Sequence, residues 1–105
     1  METITEPVLL ILLSLATRPR HGYAILRDTE HLSDGRVRLS TGTLYGALRR
    51  LLEDGWIERF DGDDTSRGKQ AYRLTSLGRR NLQAEVRRLK QLTRVAALRV
   101  ARKES

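Results

Sequence analysis

No cysteine occurs in these 105 residues, which excludes disulfide staples, thiolate metal sites and a thiol nucleophile. No long hydrophobic run occurs either. Val8 to Ala16 is too short to span a bilayer, and Met1-Glu2-Thr3 before it lacks the positive charge that opens a secretion signal. The chain is therefore expected to be cytoplasmic, with no membrane partner. There is no Gly-rich phosphate loop ending in Lys, no Ser/His/Asp order that suits a triad and no carboxylate pair on one face, so the chain is not read as an enzyme and no cofactor is expected. His21 and His31 have neither thiolates nor well-placed carboxylates to join them as metal ligands. Asp61-Gly62-Asp63-Asp64 lacks the length and the terminal Glu of a calcium loop and reads as a turn. Aromatic residues make up only 5%, and all of them precede residue 73.

What is abundant is positive charge. The net charge is +7, which points to an anionic partner such as nucleic acid or an acidic membrane surface. Its location is uneven: residues 79–103 hold nine basic residues against Glu85 alone, while the rest of the chain holds eleven basic against twelve acidic. The basicity belongs to the C-terminal segment.

Taken in order, Thr5 can cap a first helix with Pro7 in its first turn, where a missing N–H costs little. Val8 to Ala16 is apolar on nearly every side, so Leu9 and Leu12 are placed against a second subunit. Pro19 disfavours a helical Arg18 and ends the pattern. His21-Gly22-Tyr23 opens a second helix to about Leu32, and Ser33-Asp34-Gly35 stops it. Arg36-Val37-Arg38-Leu39 is long enough for one short bridging strand.

Ser40 to Gly55 reads as one capped helix, with Ser40 at the start and Gly55 placed to end it in the left-handed conformation. Leu44, Leu48, Leu51 and Leu52 share its inward face. The outward face carries Gly42, Gly46, Arg49 and Arg50, flanked by Thr43 and Tyr45. Interior Gly costs roughly 1 kcal/mol against Ala, and close approach of the backbone to a ligand surface accounts for two of them on an exposed face.

Trp56 to Phe60 and Gln70 to Leu74 are strand-like runs joined by a polar, Gly-containing tip that includes Arg67 and Lys69, a hairpin. Trp56 and Tyr72 are expected to pack between this hairpin and the last helix. Thr75 then caps a helix to about Arg102, in which Leu82, Val86, Leu89, Ala96 and Val100 recur at a 3.5-residue spacing with Leu92 beside the seam. A helix of roughly 40 Å outruns a domain of this size and is expected to pack on a second chain.

Helix, helix, short strand, helix and hairpin is the order of a winged helix-turn-helix, whose third helix enters the major groove of DNA. Arg49 and Arg50 can reach phosphates or the O6/N7 edge of guanine, Thr41 and Thr43 can hydrogen-bond bases or phosphate, and Arg67 and Lys69 at the hairpin tip supply a second contact. The expected fold is mainly α with a small β-hairpin: a winged helix-turn-helix over residues 1–75 and a long C-terminal dimerisation helix over 76–105.

The run Ile11-Leu12-Leu13-Ser14-Leu15, then Arg20-His21-Gly22-Tyr23, Ser40-Thr41-Gly42-Thr43-Leu44-Tyr45, Leu48-Arg49-Arg50-Leu51 with Gly55-Trp56-Ile57, and Tyr72-Arg73-Leu74-Thr75 with Gly78, resembles the PadR family of bacterial transcriptional regulators. The resemblance covers about residues 8–78, and the last helix is similar to that of the short subfamily with a single C-terminal dimerisation helix. It implies a homodimer that binds palindromic double-stranded operator DNA, usually as a repressor. Bases would face Thr41, Gly42, Thr43 and Tyr45, and phosphates would meet Tyr45, Arg49 and the wing. It also implies that some relatives release DNA on binding a phenolic or planar aromatic compound, so an unidentified small-molecule effector is a third partner to consider. An alternative reading is a protein-interaction module, with the basic helix recognising an acidic partner.

Overall fold

The computed structural model describes residues 4–60 and 70–102. Helix α1 (Glu6–Ser14) starts from Thr5, whose hydroxyl accepts the Val8 N–H, and Pro7 occupies its first turn. The chain then makes a two-residue strand, β1 (Arg20–His21), and runs directly into α2 (Gly22–Leu32). α2 ends with Asp34 at φ 53° and Gly35 at φ 78°, and the Gly35 N–H reaches back to the Glu30 carbonyl at 2.8 Å. Helix α3 (Thr41–Glu53) follows, then β2 (Ile57–Phe60), β3 (Ala71–Leu74) and α4 (Ser76–Ala101).

The three strands form one antiparallel sheet in the order β1-β3-β2, with Arg59 opposite Tyr72 on one side of β3 and Arg20 opposite Tyr72 on the other. The bridging strand was expected at Arg36 to Leu39 and is not there. That segment is held by its own neighbourhood: the Arg36 N–H donates to the Ser33 carbonyl at 3.1 Å and the Val37 N–H to the Ser33 hydroxyl at 2.9 Å. The third strand comes instead from Arg20–His21, because Pro19 ends helical geometry and the extended backbone after it meets the open edge of β3.

The core is one cluster. Ile11, Leu12 and Leu15 from α1 meet Ile25 from α2, Leu44, Leu48 and Leu51 from α3, and Ile57 and Tyr72 from the sheet. Leu82 closes it from α4 at 5% exposure, and Val86 packs on its rim. Leu12, expected at a subunit interface, is fully buried in its own chain, and Leu82 is likewise used internally. Neither side chain has surface left to offer a partner, because a helix apolar on every side is consumed first by the core beside it. Trp56 packs against the same cluster.

Beyond the core α4 runs on alone. Every residue from Lys90 to Arg102 is exposed, including Leu92 at 54% and Val100 at 84%. The 26-residue helix is about 39 Å long at 1.5 Å per residue, and it stretches the molecule to 64 × 28 × 21 Å. No helix among the described residues is long and apolar enough to cross a membrane.

Candidate nucleic-acid interface

α3 is presented rather than buried. Leu44, Leu48 and Leu51 fix one side into the core, which turns Thr41, Gly42, Thr43, Tyr45, Gly46, Arg49 and Arg50 to solvent together. Its first turn is ordered by Ser40: the hydroxyl accepts the Thr43 N–H at 3.1 Å and donates to the Thr43 Oγ1 at 2.9 Å. That arrangement leaves the Thr43 proton free to be donated outward. The first turn carries no acidic residue, so the positive end of the helix dipole is not offset there.

The segment that delivers the chain to Ser40 is tied at two points. Arg36 pairs with Glu6 at 3.0 Å and Arg38 with Glu30 at 3.5 Å. Both pairs are solvent-exposed and contribute little stability each. Their effect is directional, holding the run into α3 against α1 and α2.

A Cβ built at Gly42 or at Gly46 meets nothing within 4 Å. Nothing in the described part of this chain therefore requires a glycine at either place. Gly22 is the opposite case: a Cβ there would collide with the Tyr45 hydroxyl and ring. The Tyr45 ring thus leans from α3 onto the first turn of α2, with 43% of the residue still exposed. Tyr45 also lies near enough to Tyr72 that, after burial, it is the second cause holding the Tyr72 hydroxyl above its ordinary value, while Arg59 opposes both.

Next to this contact, Tyr23 is exposed on α2 and accepts a hydrogen bond from Arg27 at 3.3 Å, with the guanidinium also 5.8 Å from the ring centre. Tyr23 and Arg27 line an open groove of about 780 Å³ with Leu26, Glu30, Gly35 and Leu39. Sequence reasoning gave this pair no role. The signal was present as an i, i+4 aromatic–cation spacing, but it acquires a place only when the Gly22–Tyr45 contact sets α2 beside α3.

Arg67 and Lys69, expected at the hairpin tip, lie outside the described residues. The base of the hairpin is firm: Glu58 and Arg73 sit opposite one another and pair at 2.7 Å, and Arg73 covers the Phe60 ring at 4.8 Å. Of the residues expected at a dimer interface, Leu9, Val86 and Leu89 are half-buried, whereas Leu92 and Ala96 are exposed on the free part of α4. No group of three or more potential metal ligands occurs among the described residues.

Comparison with known proteins places this arrangement. The model of the family described as "Transcriptional regulator PadR-like family" matches residues 11–84. The transcriptional regulator Rv3488 of Mycobacterium tuberculosis is 38% identical over 66 residues, which is 63% of this chain and 62% of that protein. An uncharacterised 37.1 kDa protein in transposon TN4556 of Streptomyces fradiae is 36% identical over 86 residues, 81% of this chain but only 23% of its own length. The chain thus spans less than two thirds of either relative. Among solved structures, a PadR family transcription regulator from Clostridium difficile R20291 superposes with a TM-score of 0.77 at 22% identity, covering 92% of this chain and 100% of that one. Bacillus subtilis PadR in complex with operator DNA superposes with a TM-score of 0.63 at 22% identity, covering 74% and 45%.

Proposed function

The chain belongs to the PadR-like family of transcriptional regulators, and on that premise we propose that it binds operator DNA as a homodimer and represses transcription. The observation that carries this reading is the exposed face of α3, where two glycines open onto empty space between Thr41, Thr43, Tyr45, Arg49 and Arg50. An unopposed glycine inside a helix costs roughly 1 kcal/mol, and a surface outside the chain accounts for it. That face lies where a recognition helix meets the base edges of the major groove. The operator complex of the Bacillus relative supports the same partner.

The roles follow from chemistry. Thr41 and Thr43 offer hydroxyls to bases or phosphate, Gly42 and Gly46 allow the backbone to come close, Tyr45 donates to a phosphate, and Arg49 and Arg50 reach guanine or the backbone. Arg67 and Lys69 of the wing provide the flanking phosphate contact. Dimerisation uses the free part of α4 through Leu92 and Ala96, with the half-buried Leu89, Val86 and Leu9 at the near end. Two equivalent groove contacts then lie about one helical turn apart, ~34 Å. An effector, if one acts, is a small molecule that releases DNA.

The test is binding of the full chain to its own upstream DNA and to random duplex at one salt concentration, with the mass measured by light scattering. The expected result is a dimer that prefers upstream DNA. A monomer at micromolar concentration with equal affinity for both duplexes overturns the reading and favours the protein-interaction alternative, in which the basic α4 recognises an acidic partner. A screen of phenols and hydrophobic cations for operator release tests the effector.

A further inference from the structure

The end of α3 and the start of α4 meet in a single hydrogen-bonded joint. Gly55 turns the chain at φ 76°, its N–H bonding the Leu52 carbonyl at 3.1 Å and the Trp56 N–H bonding the Leu51 carbonyl at 3.0 Å. This turn leaves the Gly55 and Trp56 carbonyls pointing away from α3. Both are taken up by Thr75: its hydroxyl donates to the Gly55 carbonyl at 2.6 Å and its N–H donates to the Trp56 carbonyl at 3.0 Å. The same hydroxyl oxygen accepts the Gly78 N–H at 3.0 Å and so caps α4. A Cβ at Gly78 would overlap the Trp56 carbonyl, so the first turn of α4 lies directly on the exit of α3. Between the two helices there is backbone against backbone and no slack.

α4 is a lever on this joint. From Gly78 to Leu92 it extends about 21 Å at 1.5 Å per residue, and only from Lys90 onward is it wholly free for a partner. With that end held by a second subunit, a swing of about 10° at the joint moves a point roughly 21 Å away by roughly 4 Å, close to the ~3.4 Å between successive base pairs.

We propose that Thr75 is a positioning residue for operator recognition: by bridging the turn that ends α3 to the first turn of α4, against the close approach that Gly78 permits, it fixes the half-site separation the dimer reads. The inference rests on the dimeric, DNA-binding reading above. Thr75 itself touches no DNA. It acts by making the reading helix and the dimer helix one rigid body.

The test uses operators whose half-site separation is changed by one and two base pairs in each direction, together with an isolated half-site, titrated with the full chain by fluorescence anisotropy. Two variants separate capping from bridging. Thr75→Ser keeps both. Thr75→Asp keeps the cap, since a carboxylate accepts the Gly78 N–H, but cannot donate to the Gly55 carbonyl. The wild type and Thr75→Ser are expected to show one preferred spacing, at least tenfold over its neighbours. Thr75→Asp is expected to bind the isolated half-site within twofold of wild type while its preference between spacings falls below threefold. A Thr75→Asp profile as sharp as wild type, with the same optimum, overturns the role of the joint. Should circular dichroism show Thr75→Asp unfolded, Thr75→Val, which keeps the shape and the backbone bond to the Trp56 carbonyl but loses the hydroxyl's bonds to both Gly55 and Gly78, is read by the same two criteria. A wild type that binds the full operator no more tightly than the isolated half-site overturns instead the dimeric reading on which the proposal rests, and one that prefers the full operator equally at every spacing overturns the joint.

Discussion

Gly46→Ala should make the protein more stable and a poorer DNA binder at once. Gly46 lies in the interior of α3, and a Cβ there meets nothing within 4 Å, so no clash opposes the change in the free protein. Replacing an interior helical Gly by Ala is worth roughly 0.8–1 kcal/mol. For a domain near 100 residues that raises the melting temperature by about 4 °C or somewhat more. On DNA the sign reverses. A methyl on the face that approaches the groove overpacks the contact, at about 1–3 kcal/mol, roughly fivefold to 150-fold in Kd. The assay is a far-UV circular dichroism melt without DNA beside anisotropy titration with the operator. Gly22→Ala is the internal control, because its Cβ would collide with Tyr45 and it should melt lower than wild type. A Gly46→Ala protein that is stabilised yet binds the operator as tightly as wild type refutes the close approach. One that is destabilised refutes the premise of open space.

Arg49→Ala should leave the melting temperature unchanged, since the residue is exposed on α3, and should weaken operator binding by about 1–3 kcal/mol if its contact is bidentate to guanine; unchanged affinity in a mobility-shift titration removes it from the interface. Leu92→Arg places a charge on the exposed part of α4 and should convert the dimer to monomer in light scattering, with the far-UV spectrum retained; an undiminished dimer mass moves the interface elsewhere. Burial first, then the neighbouring Tyr45, raises the Tyr72 hydroxyl above its ordinary value of 10.0, so its contribution to stability is full below pH 10 and is lost as the pH rises through the raised value. Urea midpoints should accordingly hold level from neutral pH to the ordinary tyrosine range and fall above it, and Tyr72→Phe should reduce that alkaline loss; an identical loss in the variant assigns it to other groups.

Much of this molecule was legible from local chemistry. The caps at Thr5, Ser40 and Thr75 and the left-handed stop at Gly55 depend only on residues within four positions of one another, and all four form as the spacing suggests. The outward set on α3 was legible too, because a 3.6-residue period with three buried leucines leaves no other place for Thr41, Tyr45 or Arg49 to point. The basic character of α4 needed only counting.

Other features were decided by contacts between distant parts of the chain. Neither Arg20–His21 nor Arg36–Leu39 is long enough to declare itself a strand, and the choice fell to whichever backbone reached the edge of β3 with its N–H groups unspent. Hydrophobic spacing marked Leu12 and Leu82 as apolar positions but could not say whether their own core or a partner would cover them, since burial is the same free energy in either place. Gly22 and Gly78 carry no local signal at all: one lacks a side chain for Tyr45 and the other for the Trp56 carbonyl, both more than twenty residues away in the chain. Sequence alone therefore determined which helices form and which faces they turn outward. Tertiary structure decided how α3 is joined to α4, because that joint is made of backbone carbonyls whose direction no side-chain pattern records.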